Sequence, residues 1–477
     1  MANSLTIEAR FARPLEMSAE RSEARQTASL AMRSHRTFRT PRRFEAELRE
    51  TPIMPTSKTR RRATLVVVLA ASASAISLVN ARQSPSASPS WTQWRGPQRD
   101  GHSSVTPPAS FAAAPANIWK VDVGVGHSSP LVADGRVYLH TRQGDQETVA
   151  AFDLASGKTL WSQRYPAPLK VDSAASSHGP GPKSTPTLSN GKLYTFGLGG
   201  ILSCFDAATG AVKWRKSYEK EFPGTNPIYG AAMSPLVDNG LLIAHVGGEN
   251  KGALRAFDLE SGATKWSWTE DGPGYASPIA FDAGGTRQIV TQTQKHVVGV
   301  AEATGQTLWK VPFETAYDQN AVTPVVYKDL VIISGENKGT LALRVTKQGT
   351  AWQAVEAWKN PEISMYMSTP VLVGDTLYGL SHRNKGMFFA LDAASGKTRW
   401  TSPPRQGDNA AIVSAGTLLF MLTSDAKLIV AEASPAAFKP VKTFEVATSA
   451  TWAHPVVLGD RVLIKDLQSL ALVKIGT

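Results

Sequence analysis

Ala151 to Trp161 reads A-F-D-L-A-S-G-K-T-L-W, and the phrase returns along the chain. Cys204 to Trp214 gives C-F-D-A-A-T-G-A-V-K-W, Ala256 to Trp266 gives A-F-D-L-E-S-G-A-T-K-W, and Ala390 to Trp400 gives A-L-D-A-A-S-G-K-T-R-W. Ala301 to Trp309 is a shortened copy, A-E-A-T-G-Q-T-L-W. A recurring phrase of this kind marks one structural unit that cannot bury its apolar face alone and stacks on its neighbours. Each copy is the end of a strand, a tight turn and a new strand. The Asp supplies a local hydrogen bond and the Gly a positive-φ position. The alternating apolar residues before the Asp suit a buried strand. The Trp after the turn offers a large flat surface for the adjoining unit.

A second signal lies upstream of each Trp. Ser129-Pro130, Thr185-Pro186, Ser234-Pro235, Ser277-Pro278, Thr323-Pro324, Thr369-Pro370 and His454-Pro455 each open a β-rich run. Proline is tolerated at the first residue of a strand, where no ladder donor is needed. Ser277, Thr323 and Thr369 follow one another at intervals of 46 residues, room for four short strands. The pattern predicts an all-β chain: a single β-propeller of four-stranded antiparallel blades. A degenerate start at Ala410-Ala411-Ile412-Val413 brings the Pro-marked tally to eight, and the aromatic series Trp119, Trp161, Trp214, Trp266, Trp309, Trp358, Trp400 and Phe444 gives the same number. Seven blades is the alternative. Only three strands fit after Pro455, so the strand around Ile118-Trp119-Lys120-Val121 is expected to complete the last blade and remove an exposed edge.

The chain has a net charge of +12. Residues 1–81 hold 14 basic and 7 acidic side chains, and the rest of the chain holds 37 and 32. No basic run follows Arg82, which argues against nucleic-acid binding. Met54 starts a charged segment (Lys58, Arg60, Arg61, Arg62), an apolar stretch from Ala63 to Val79 and a small-residue cleavage pattern at Val79-Asn80-Ala81. The expected organisation is therefore an N-terminal extension (1–53, disordered or a misassigned start), a signal peptide (54–81), a Ser/Pro linker (82–90) and the propeller (91–477). An uncleaved apolar stretch is the one route to membrane association. Cys204 is the single cysteine. It stands where other copies have Ala, which predicts an isolated buried thiol in a monomer without disulfides.

The A-x-D-x-x-(T/S)-G-x-x-x-W phrase resembles the tryptophan-docking repeat of the pyrroloquinoline-quinone (PQQ) propeller family. The opening Trp91-Thr92-Gln93-Trp94-Arg95-Gly96-Pro97 is similar to the start of many secreted members, and is expected to pack on the propeller surface. The resemblance covers Trp91 to Ile475 and implies two branches. One holds quinoprotein dehydrogenases, which oxidise alcohols or sugars with PQQ and calcium. The other holds non-catalytic propellers, including the scaffold subunit of the outer-membrane β-barrel assembly machinery. The chain departs from both. It lacks the adjacent cysteines that cover PQQ in many alcohol-oxidising members, and the lipid-bearing cysteine of the scaffold subunit.

Blade topology places the loops that enter each Pro-marked strand, and those joining second and third strands, on one rim of the central channel, where ligand pockets form. His127, Lys183, Tyr275, Met367, Trp452 and His454 stand just before those prolines, and longer loops add His178, Tyr229, Tyr317 to Asn320, and Tyr366. The second–third strand loops carry G-E-N-K-G at Gly248 to Gly252 and Gly335 to Gly339, with a relative at Arg383 to Gly386. Asn-Lys-Gly is foremost a turn sequence. The cofactor-binding candidates on this rim are His127, Lys183, Tyr275, Arg383, Trp452 and His454. Lys183 and Arg383 either neutralise an acidic ligand or stay solvated. Tyr275 and Trp452 either stack on a planar ring or plug the channel. The histidines lack metal-ligand spacing, so no metal site is assigned. His140 and His245 fall on matching second strands and read as packing residues.

No acid–base constellation, Ser/His/Asp elbow or phosphate-cradling Gly loop is visible. The reading that follows is an exported, non-catalytic binding or scaffold propeller of the cell envelope, periplasmic or extracellular, taking a protein or small-molecule ligand at its channel rim. The alternative is a PQQ-dependent oxidoreductase using PQQ with calcium.

Overall fold

The computed structural model describes residues 90–169, 172–224 and 227–477. The expected extension, the signal segment and the linker up to Pro89 lie outside the described residues. Eight antiparallel sheets of four strands follow one another as propeller blades. They span 131–166, 187–216, 236–268, 279–312, 325–360, 371–401, 410–445 and 456–476, and are called blades 1 to 8 in that order. Blade 8 takes its outermost strand, Phe111–Asp122, from the other end of the propeller sequence. Trp119 sits opposite Leu472, which in turn faces Leu463, so the ring is latched where the sequence predicts. Blade 7 begins at the degenerate Ala410 and carries His102–Ser103 as a fifth, parallel strand.

The Ser/Thr-Pro signal has a reason beyond the proline. At five successive blade junctions the backbone N–H before the proline donates to the neighbouring blade's hydroxyl: Ser129 to Thr185 (3.0 Å), Thr185 to Ser234 (3.0 Å), Ser234 to Ser277 (2.9 Å), Ser277 to Thr323 (3.3 Å) and Thr323 to Thr369 (3.1 Å). His454 N–H donates to Ser129 Oγ (2.9 Å) and carries the girdle across the latch. These groups are buried, and a buried N–H needs an acceptor. At the degenerate seventh start the direction reverses, and Ala410 N–H donates to Ser368 Oγ.

The recurring Trp closes the outer side of six of the eight junctions. Its indole N–H donates to a carbonyl in the next blade's turn: Trp119 to Leu154, Trp161 to Ala207, Trp214 to Leu259, Trp266 to Glu302, Trp358 to Ala393 and Trp400 to Ser434. The ring lies on the turn glycine. A Cβ on Gly210 (φ +78) would come within 2.6 Å of Trp161, and one on Gly157 (φ +70) within 2.7 Å of Trp119. Glycine is needed at these positions for both backbone angle and close approach. Trp309 is the exception. Blade 5 replaces the Asp…Gly turn by a hairpin of two ten-residue strands, Gly339–Gln348 and Ala351–Asn360, which leans on Gly284 of blade 4 through Lys347 and Trp352. Without a turn carbonyl ahead of it, Trp309 donates to Gln288 Oε1 of its own blade (2.7 Å).

The cores lie between blades. Tyr194, Phe196 and Leu202 of blade 2 pack on Leu242, Ala244 and Phe257 of blade 3, and Cys204 is fully enclosed there. His140 and His245 are buried as expected. His140 Nε2 is 3.3 Å from Glu147 Oε2 and 3.1 Å from Tyr165 Oη, and His245 Nε2 is 3.2 Å from the Asp271 carbonyl.

The opening segment differs from its expected place. Trp91 to Ser103 does not coat the outside; it enters the channel as a plug and reaches six or more blades. Trp91 exchanges two backbone hydrogen bonds with Val132 of blade 1 (2.7 and 2.9 Å). Thr92 accepts from Leu188 N–H of blade 2 (2.8 Å). Arg99 donates to the Ser234 and Pro235 carbonyls at blade 3, Trp94 to Thr323 Oγ1 at blade 5, and Arg95 to the Pro370 carbonyl at blade 6. Inner-strand edges carry unpaired peptide groups, and the plug satisfies several of them.

Candidate functional site

The plug divides the channel into two mouths. The upper mouth is the rim where inner strands begin, and the lower mouth the rim where they end. At the upper mouth, His127, Lys183, Tyr275, Trp452 and Met367 converge around a pocket of about 150 Å³, joined by His178, Tyr229, Gln319 and, from the plug, Trp94. They come from different loops, only His178 and Lys183 sharing one, and the ring brings them together.

The walls are a relay of rings. His127 and Trp452 lie 5.8 Å apart, Trp452 and His178 5.9 Å, His178 and Tyr229 5.3 Å, and Tyr229 and Tyr275 5.7 Å between centroids. Tilted and edge-on contacts at these separations hold aromatic side chains in place without stacking them flat. His127 Nε2 is 3.0 Å from the His178 carbonyl, and Tyr229 N–H donates to Tyr275 Oη (3.4 Å). Lys183 Nζ donates to the Tyr229 carbonyl at 2.5 Å. No carboxylate among the described residues pairs with it, and burial pulls its pKa down to about 8. Burial, with a smaller contribution from nearby Lys183 and Lys465, outweighs the His178 contact and lowers His127 to about 4. At neutral pH the pocket therefore presents neutral imidazoles, phenols and indoles around one ammonium group that is easily discharged.

The remaining two candidates lie elsewhere. Arg383 sits on a rim loop with Nη1 3.7 Å from Glu362 Oε2 and takes no part in the pocket wall. His454 is buried against Trp94, with ring centroids 4.3 Å apart, and its backbone serves the girdle. Burial, reinforced by Arg95, lowers it to about 3. Sequence reasoning missed Trp94, because nothing in W-T-Q-W-R-G-P says that the second Trp points up the channel. The Asn-Lys-Gly loops are turns, with Asn250 and Asn337 at φ +56 and +57.

PQQ with calcium does not fit these residues. The pocket is about half the roughly 300 Å³ at the small end of ligand sites. Its wall holds no Asp or Glu, whereas calcium is held by carboxylate and carbonyl oxygens. Among the described residues no group of three or more His, Cys, Asp or Glu is placed to hold a metal. Two enclosed carboxylates are already engaged: Glu147 accepts from Tyr165 (2.7 Å) and Leu198 N–H (2.8 Å), and Asp271 from Thr293 (2.6 Å) and His296 (2.8 Å).

Comparison with known proteins matches the chain to the family described as "Outer membrane protein assembly factor BamB" over residues 112–178 and 145–402. It is 24% identical over 383 residues to the outer membrane protein assembly factor BamB of Yersinia pestis, covering 74% of this chain and 86% of that protein. It is 25% identical over 306 residues to the dehydrogenase subunit of the quinone alcohol dehydrogenase of Gluconacetobacter polyoxogenes, covering 58% of this chain but 40% of that protein. Among solved structures, a europium-containing methanol dehydrogenase superposes with a TM-score of 0.61 at 13% identity, over 81% of this chain and 98% of that one, a likeness of fold.

Proposed function

Because the chain belongs to the outer membrane protein assembly factor BamB family of PQQ-like propellers, we propose that it is an exported, non-catalytic binding propeller of the cell envelope. Its upper mouth is the surface that takes a partner. The observation that carries this reading is the make-up of the axial pocket: aromatic rings and one ammonium group, with no carboxylate on its wall to serve as base or calcium ligand. Aromatic side chains rimmed by polar groups are the usual anchors of a protein interface.

The test is retention of a partner from envelope extract by the immobilised protein. The expected result is a specific band or complex that wild type retains and that Trp452→Ala together with Tyr229→Ala loses. Equal retention by both proteins, or none by wild type, counts against the reading. The likeness to the quinone alcohol dehydrogenase subunit favours the oxidoreductase as second reading. Incubation with PQQ and calcium separates the two: dye-linked alcohol oxidation with a rise in melting temperature supports the enzyme, and the absence of both supports the binding propeller.

A further inference from the structure

The plug gives the lower mouth a chemistry of its own. In blades 1 to 6 and 8 the residue three places after the Ser, Thr or His of the girdle turns its peptide group toward the axis: Val132, Leu188, Val237, Ala280, Val326, Leu372 and Val457. Ser414 holds the same place in blade 7, next to the turn. The plug occupies five of these eight positions. Trp91 pairs with Val132, Thr92 O with Leu188 N–H, Gly101 O with Ser414 N–H (2.9 Å), His102 Nε2 with Leu372 O (2.6 Å) and Ser103 Oγ with Val457 O (3.5 Å). Val237, Ala280 and Val326, in three consecutive blades, have no such partner among the described residues. All three line one cavity of about 470 Å³ at the lower mouth.

The opposite wall of that cavity is the plug, which presents Arg95 and Arg99. Both arginines are nearly enclosed, at 1% and 7% exposure, and among the described residues neither forms an ion pair; Asp100 lies near enough to act on Arg95, whereas Arg99 has only Arg95 as a charged neighbour. Their hydrogen bonds go to carbonyls and to Gln93, and among the described residues Arg95 Nε and Nη1 and Arg99 Nε have none. Burial and the neighbouring Arg95 pull Arg99 down to about 9. The carboxylates on the cavity wall serve other groups: Asp100 accepts from His102 N–H and acts on Arg95, and Asp238 is bound to Arg287, which also holds Asp282. Arg99 is thus the buried cation without a counter-charge among the described residues, an unfavourable state that an arriving anion relieves.

We propose that the lower mouth is a second binding site, which takes an extended polypeptide segment bearing a carboxylate. The segment pairs its main chain with the free inner edges of blades 3, 4 and 5, as the plug pairs with blades 1, 2 and 7, and sets its carboxylate toward Arg99. Strand addition to an unpaired edge is an established mode of peptide recognition, and arginine favours carboxylate partners. The volume lies within the range of specific sites. This site is independent of the upper mouth.

Hydrogen exchange on the full protein tests it, with N-acetyl-Val-Thr-Val-Thr-Glu as probe. The expected result is exchange slowed about tenfold in the segments containing Val237, Ala280 and Val326, and unchanged in the upper loops. A copy ending in glutamine amide should bind about tenfold more weakly, because its charge-assisted contact is gone. An N-methylated copy should give no protection. Val326→Pro removes one edge donor where proline is tolerated and should weaken binding; should that variant fail to fold, the N-methylated probe makes the same distinction. Equal protection by the N-methylated probe, protection confined to the upper loops, or none at about 1 mM from either the probe or a randomised pentapeptide pool overturns the proposal.

Discussion

Ser128 and Ser129 are adjacent, both fully enclosed, and chemically identical, yet the girdle assigns them opposite weights. Ser129 Oγ accepts the His454 N–H at 2.9 Å, the bond that carries the girdle across the latch between blades 8 and 1. Ser128 Oγ has no hydrogen-bond partner among the described residues. Ser129→Ala leaves a buried backbone donor without an acceptor, which costs about 1–3 kcal/mol. Ser128→Ala removes a hydroxyl that gains nothing where it lies, so the change should stay within about 0.5 kcal/mol or favour the folded state. The two variants alter volume equally, and cavity terms cancel in the comparison. At about 2 cal/mol/K of unfolding entropy per residue, a ring of this size shifts its melting temperature by only one or two degrees per kcal/mol. Urea titration is therefore the better assay, read as a change of midpoint at constant slope. Equal losses in the two variants, or a larger loss in Ser128→Ala, would refute the girdle as a source of stability.

Gly210→Ala should destabilise by about 1–3 kcal/mol, since it combines a left-handed backbone with a methyl group 2.6 Å from the Trp161 ring; Gly144→Ala, with open space around it, should show only the backbone part in the same titration. Burial pushes the Cys204 thiol up to about 11, so iodoacetamide at pH 8 should label it only after unfolding, as mass spectrometry under native and denaturing conditions would reveal. Burial lowers His127 and His245 to about 4, below the unfolded value of 6.5. The unfolded chain then binds more protons between those values, so stability should fall as pH drops from 6.5 toward 4, and His245→Gln should flatten that slope in thermal melts. Lys183 runs the other way on the alkaline side: its charge at the upper mouth is lost as pH rises through about 8, so any anion-dependent retention of a partner should weaken there.

The ring itself was legible because its determinants are local and repeated. Asp153, Gly157 and Trp161 stand at fixed spacing, and even the degenerate Ala410 start falls where the period demands. The latch followed from arithmetic on strands after Pro455. The plug was not legible, since Arg95 and Arg99 are held by backbone carbonyls of Pro370 and Ser234, and a carbonyl leaves no mark in the sequence. The same holds for the upper pocket. The rim position of Lys183 and Trp452 could be read from topology, but the turn of Arg383 toward Glu362, and the rise of Trp94 between them, depend on packing among loops far apart in the chain.

A chain made from its N-terminus presents Gly101 to Asp122 before any blade, yet those residues wait for Ser414, Val457 and Leu472 before they can settle. Until residues 456–476 arrive, blade 8 does not exist and its future outer strand stays available to any other free edge. Maturation of this molecule is thus an end-joining step of high contact order, and its most exposed period for mispairing falls just before completion.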